Sequence, residues 1–371
     1  MNNTQDQTRR LLDYDGETGE LFAIFFKNLL LTLLTFGIYR FWGTSNLRRY
    51  VWSHMRFQGE RFTYTGTGGE LFKGFVIALA AVIGAIGGAV VVGVVLQAAT
   101  GSKLLGALPT IAVSCLLAIW AAGAFYSAER YRLSRTSWRG IHGGMTGSAF
   151  SYGVKVLLYS VLCVFSLYQL IPWMSMRLAE RRINSASFGD RSFHFEGKAS
   201  KIYGSFLLSL VGSVVLMIAL YFLMLKPTFD QIQELSAQAV PLRESGLTPS
   251  FVLHLCAAYI VYLLGAWLIA CHYLATVTRH VVNNTSFGGL LQFGSRVTTA
   301  SLMKLILGNL LLIICTLGFG FPLALQRSLR FTADNLVVTG KIDLDSLHQS
   351  TLPKPETGEG MLSVLEPGGM I

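Results

Sequence analysis

The chain has 371 residues, 52% hydrophobic and only 13% charged, with a formal net charge of +10. Soluble domains carry about 25% charged residues, so the composition excludes an ordinary soluble globular protein. The Lys and Arg residues lie in short loops beside apolar runs, a membrane-protein pattern that argues against nucleic acid as the partner of this basic chain.

Residues 1–20 read as a polar N-terminal segment that ends in the string 16-GETGELFAIF-25. The first apolar segment, 21–42, has no small-residue cleavage site after it and reads as part of the mature protein. A break at Gly37 leads into a basic amphipathic stretch in which Trp42 and Trp52 are placed for a membrane interface. The string returns as 66-GTGGELFKGF-75. Gly and Thr release the chain, and Glu sits in the first helical turn where the helix dipole favours it. No GK[ST] follows, so a phosphate loop has no support. Residues 74–102 and 104–128 carry no charge and exceed the ~20 residues a spanning helix needs. After a second unusual apolar segment, 152–173, the uncharged run 202–225 and the apolar run 251–276 give another spanning pair around a polar loop, 226–250.

Between these runs a basic Phe/Gly motif recurs five times. Phe57, Phe62 and Gly66 of 47-LRRYVWSHMRFQGERFTYTG-66 match Phe188, Phe193 and Gly197 of 178-LAERRINSASFGDRSFHFEG-197 without a gap, and looser copies follow Trp138, Phe287 and Phe331. Each copy alternates apolar and polar residues around Gly and predicts a short strand or hairpin. A third unusual segment, 299–322, repeats the first: 309-NLLLIICTLG-318 aligns with 28-NLLLTLLTFG-37. The stretch that follows it is expected to be seven residues, or two helical turns, shorter. Pro353, Pro355 and Pro367 then mark a tail expected to be disordered.

These elements predict an all-α polytopic membrane protein. Its duplicated unit is one re-entrant or tilted apolar segment plus a transmembrane helix pair, with short cytoplasmic β-hairpin-like motifs. The expected boundaries are 1–20 for the polar segment, 21–145 and 146–298 for two membrane repeats, 299–341 for a partial third and 342–371 for the tail. Two topologies compete. If all seven segments cross, the halves become inverted copies, a transporter device, but the basic loop around Arg181 then faces outside. If segments 21–42, 152–173 and 299–322 enter and leave on one side, all five basic motifs stay cytoplasmic, as the charge rule asks. The second is the preferred expectation.

The TGTGGELFKGF string, the NLLLTLLTFGIYRFW segment and the Arg-rich stretch after it resemble the YjgN-like family of bacterial inner-membrane proteins, a domain of unknown function. The similarity extends over nearly the whole chain. It implies a multi-pass protein of the bacterial inner (cytoplasmic) membrane and carries over no catalytic residue.

Lys27, Lys155 and Lys304 each lie a few residues inside one of the three unusual segments. An ammonium there either snorkels to head groups or joins a site for anionic lipid or an anionic solute. Asn28 and Asn309 occupy matching positions and suit hydrogen bonds between segments. Ala80, Gly84 and Gly88 are spaced for close helix packing, within the chain or in a homo-oligomer. His254 and His272 offer a proton relay against a structural role. The five cysteines, all in apolar runs, read as small buried hydrophobes. No HxxxH, CxxC or GxSxG spacing is present, so neither metal, cofactor nor enzyme chemistry is expected. Two functions remain: a transporter or lipid-handling protein with an anionic or amphipathic ligand, and a non-catalytic membrane scaffold or modulator of a partner complex.

Overall fold

Each internal Phe/Gly motif folds as strand, tight turn, strand, because its central residues accept a left-handed backbone. Gln58 and Gly59 have φ of 50° and 84°, and Arg139 and Gly140 have 52° and 80°, which suits the two-residue turns that match strand twist. The computed structural model describes residues 11–227, 229–230, 233, 249–340, 347–350 and 352. Its strands are β1 (Leu12–Tyr14), β2 (Met55–Phe57), β3 (Glu60–Tyr64), β4 (Thr136–Trp138), β5 (Ile141–Met145), β6 (Ala186–Phe188), β7 (Arg191–Phe195), β8 (Thr285–Phe287), β9 (Leu291–Ser295) and β10 (Leu336–Gly340).

The chain divides into two compact units. The first comprises 1–197, 281–296 and 309–371, and the second 198–280 and 297–308. All ten strands belong to the first unit and form one antiparallel sheet in sequence order. The motifs expected as short strands or hairpins are such, and the structure joins them into one ten-stranded sheet, which the all-α expectation did not include. Strands of three to five residues cannot stand alone, and each exposed edge of unpaired N–H and C=O groups seeks a neighbour. Thus Phe62 pairs with Trp138, and Phe193 with Phe287. β10 comes round beside β1, leaving a nearly closed barrel.

Alternation sends the motif aromatics to the interior. Phe57, Trp138, Phe287, Leu291, Val338 and Leu347 form a buried cluster, with Phe62, Phe188, Phe193 and Phe293 against it. The Trp138 indole N–H donates to the Phe57 carbonyl at 3.2 Å, which removes the cost of burying its one polar atom.

Helix pairs join alternate strand neighbours. The short pairs are α1 (Thr18–Leu34) with α2 (Arg40–Ser53), and α5 (Ala149–Phe165) with α6 (Ile171–Ser185). The long helices α3 (Gly68–Thr100) and α4 (Lys103–Arg135) join β3 to β4. In the second half, α7 (Ser200–Leu220) and α8 (Pro249–Asn283) lie between β7 and β8, and α9 (Thr299–Cys315) and α10 (Phe321–Asn335) between β9 and β10. Within the second unit, the Ser209 hydroxyl donates to the Ile269 carbonyl at 3.2 Å, and Gly265 leaves room for Leu216. The stretch after Gly318 is not seven residues shorter than its counterpart. Met55 begins β2 and Leu336 begins β10, each 18 residues after Gly37 and Gly318 respectively. The last motif stands in the place of β2, not β3, and so supplies one strand.

The recurrent Gly-Glu-Leu string begins helices, as expected. The Thr67 hydroxyl accepts from the Glu70 N–H at 3.3 Å, and the Glu70 carboxylate takes hydrogen bonds from Tyr131 and, at 2.9 Å, Arg135. This contact ties the start of α3 to the end of α4. Glu20 stands likewise 3.7 Å from the His54 ring.

Residues 347–350 and 352, in the tail expected to be disordered, lie on the sheet, and the Leu347 side chain is in the aromatic cluster. The rest of the tail, residues 1–10 and most of the 226–250 loop lie outside the described residues, as do the expectations for them. Cys163 and Cys271 are buried, whereas Cys115, Cys256 and Cys315 are exposed. The general reading of buried cysteines is corrected to those two. Outward faces of membrane helices are apolar too, so apolar flanks do not signal burial.

Candidate functional site

Three short helix pairs share one corner, and its chemistry explains their sequence. Phe36–Gly37, Leu167–Tyr168 and Leu317–Gly318 all have positive φ, at 51° and 91°, 50° and 64°, and 51° and 92°. The second residue returns its N–H to a carbonyl five residues back in each case: Thr32, Cys163 and Ile313. That is the helix-terminating pattern for which Gly is favoured. A hydroxyl then starts the next helix: Thr35 accepts from the Tyr39 N–H at 2.9 Å, Ser166 from Leu170 at 3.3 Å, and Thr316 from Gly320 at 2.7 Å. The corner tips are apolar and bare. Phe36 is 98% exposed, Leu167 81% and Leu317 88%.

Seven residues before each hydroxyl lies the side chain that pins the pair. Asn28 donates to the Gly43 carbonyl at 3.1 Å, and Asn309 donates to the Ala324 carbonyl at 3.2 Å and to Ser328 at 3.0 Å. The side-chain N–H groups of both asparagines are thus engaged between helices. In the α5–α6 pair the position holds Tyr159, whose ring meets Trp173 edge-on at 4.8 Å.

A polar cleft of about 320 Å³ lies between α5 and α6, lined by Lys155, Tyr159, Arg177, Glu180, Arg181 and Asn184. Ser148 caps α5 by accepting from the Ser151 N–H at 3.4 Å, and Arg181 donates to the Ser151 hydroxyl at 3.2 Å. Lys155 is thereby held one turn deeper than a fixed guanidinium. Arg177 pairs with Glu180 at 2.9 Å. Three cations face one carboxylate, and Lys155 is half-buried without an ion pair among the described residues. With cations in excess of carboxylates, the arrangement donates readily to an oxyanion.

Lys27 on α1 and Lys304 on α9 are exposed, and the cleft draws its lining from α5 and α6 alone. Ala80, Gly84 and Gly88 face outward, and a Cβ on either glycine would meet nothing. Inside the first unit, α3 packs on α4 through Gly93 against the Gly106 carbonyl, with Ala78 and Ala89 buried. His272 in the second unit lies 3.2 Å from the Thr299 hydroxyl through Nδ1, and His254 is exposed. The reading of single residues missed Arg177, Arg181 and Tyr159. The four-residue spacing of Arg177 and Arg181, one helical turn, was the available signal.

Outside the helices, the Asp190 carboxylate at the β6–β7 turn is held below its ordinary range. It accepts from the His348 N–H at 3.1 Å, and Arg191 adds to the effect. Burial pushes the Tyr14 phenol in β1 up to about 12.

Four helices, Gly68–Thr100, Lys103–Arg135, Ser200–Leu225 and Val252–Asn283, are long and apolar enough to cross a membrane. They define a multi-pass α-helical membrane protein, here joined to an antiparallel sheet. The chain belongs to the family described as bacterial protein of unknown function (DUF898), whose model matches residues 9–364. It is similar to the inner membrane protein YjgN of Salmonella typhimurium, with 24% identity covering 96% of this chain and 95% of that one. It is also 36% identical to the inner membrane protein YjgN of Escherichia coli K12 over 70 residues, 19% of this chain and 18% of that one. No solved structure matches it. The protein is an integral, multi-pass protein of the bacterial inner membrane.

Proposed function

We propose that this protein handles anionic lipid, holding the head group in the α5–α6 cleft, and performs no chemical step on it. The observation that carries the reading is the half-buried Lys155 between Arg177 and Arg181. Depth supports it. Lys155 and Phe165 are ten residues apart on α5, or about 15 Å along a helix, half the ~30 Å hydrocarbon core. With the bare tip near mid-bilayer, the cations stand at head-group level.

The same reading makes the chain five β-α-α-β units. Two long pairs cross the membrane and return, and three short pairs re-enter. A 17-residue helix such as α1 or α5 spans about 25 Å, short of the hydrocarbon core. Adjacency of β1 with β2, β5 with β6 and β9 with β10 brings both ends of each short pair to one sheet. The basic motifs put that sheet in the cytoplasm.

The test compares phosphatidylglycerol with phosphatidylcholine binding to the purified protein by native mass spectrometry. Phosphatidylglycerol should be retained preferentially. Lys155→Gln should weaken it several-fold, as about 1 kcal/mol per cation implies, and Lys155→Gln with Arg177→Gln should weaken it further. Equal retention of both lipids, unchanged in the double variant, rejects the reading. A scaffold function draws support from the outward Ala80, Gly84 and Gly88. On that reading Gly84→Leu dissociates a homo-oligomer in detergent.

A further inference from the structure

We infer that the turn end of the barrel is a binding site for an extended peptide, occupied here in cis by the chain's own C-terminal residues 347–350. The contacts fall into three kinds, and each is a recognition device. Leu347 is the anchor: it is 5% exposed and sits among Phe57, Trp138, Phe287, Leu291 and Val338. The backbone of His348 is read at both ends, its carbonyl by the Asp190 N–H at 3.0 Å and its N–H by the Asp190 carboxylate at 3.1 Å. The Gln349 amide copies a strand's hydrogen bonds, accepting from the His142 N–H at 3.0 Å and donating to the Gly140 carbonyl at 2.9 Å.

The sheet is shaped for this guest. A Cβ on Gly189 would lie 2.3 Å from the His348 carbonyl oxygen, and one on Gly144 would lie 2.8 Å from the Leu352 side chain. Main-chain pairing with a pocket for one apolar side chain is how sheets bind peptides in general. The ligand class is therefore an extended segment with Leu followed two residues later by Gln. Belonging to the same chain raises the local concentration of the native segment to about the millimolar range, so weak intrinsic affinity suffices to keep the site filled. A free peptide binds only when the tail lets go.

Full-length protein in detergent and a fluorescein-labelled peptide of sequence 347–352 test this by fluorescence anisotropy. Wild type should bind the peptide at least tenfold more weakly than the Leu347→Asp variant, whose own tail cannot fill the pocket. Because an aspartate near the aromatic cluster can disturb the sheet, Gln349→Ala serves as a surface substitution, and it too should bind more peptide than wild type. A peptide with Asp at its first position should not bind either variant. The inference is overturned if both variants, eluting as wild type on size exclusion, bind no more peptide than wild type, or if the Asp peptide binds as well.

Discussion

The side-chain amide of Gln326 donates to the Gly16 carbonyl at 2.9 Å across 310 residues of chain, and its oxygen accepts from the Thr18 hydroxyl. Gln326 is 2% exposed, so both ends of a buried amide are satisfied by the first turn of the fold. The contact fastens α10 to the segment between β1 and α1, beside Leu21, Leu325 and Leu329 in one apolar cluster. Replacing Gln326 by Leu removes its bonds to the Gly16 carbonyl and the Thr18 hydroxyl, leaves that carbonyl the longer bond from Arg330 at 3.4 Å, and should cost about 1–3 kcal/mol. Thermal unfolding in detergent, followed by circular dichroism, should show a lower midpoint. An unchanged midpoint would mean that closure of the sheet does not depend on this amide.

Topology is open to a direct measurement. Ser185 ends α6, Ser286 lies in β8, and Ser102 caps α4 at the turn after α3. Single-cysteine variants at these sites, in a background lacking the five native cysteines, should react with an impermeant maleimide in spheroplasts at position 102 only. Labelling at 185 would mean that the 152–173 segment crosses, and the re-entrant reading would fall.

The shared corner gives an asymmetric prediction. Gly37 and Gly318 have φ of 91° and 92° and open space around them, so a side chain meets backbone strain but no clash. Gly37→Val or Gly318→Val should each destabilise by about 1–2 kcal/mol, the left-handed penalty for an L-residue. Tyr168 already occupies that conformation, with φ 64°. Tyr168→Gly should leave stability equal or higher, and the three melting curves in one detergent decide it.

The tail contact carries a pH dependence of known sign. Asp190 is exposed, and its carboxyl is lowered from 3.8, first by the His348 N–H, with Arg191 and His348 contributing charge. A depressed carboxyl favours docking fully above that ordinary value and loses the contribution as pH falls through the lowered one. Hydrogen exchange of residues 347–350, corrected for intrinsic rate, should be steady between about pH 8 and pH 5 and accelerate in the acid range below the ordinary carboxylate value. Asp190→Asn should exchange faster at neutral pH and lose the acid step. An acid step that survives the substitution would assign it to another group.

The sequence by itself determined the class, the four helices long and apolar enough to cross a membrane, and the places where strands would form. Uncharged runs longer than the bilayer leave one solution, and Phe alternating around Gly is a local signal. It also pointed to the break at Gly37 and the inter-segment hydrogen bond of Asn28, because both lie within a few turns of one another, whereas the cap at Thr35 came from the structure. Only the tertiary structure decided that Phe62 pairs with Trp138, that Gln326 reaches Gly16, and that Leu347 lies in the aromatic cluster. It likewise separated Lys155, set in a cleft, from the exposed Lys27 and Lys304, although each lies a few residues inside a similar apolar segment. Period and composition record which face of an element is apolar. They carry no term for which distant edge, carbonyl or pocket that face will meet, since that is set by closure of a sheet whose strands lie up to hundreds of residues apart.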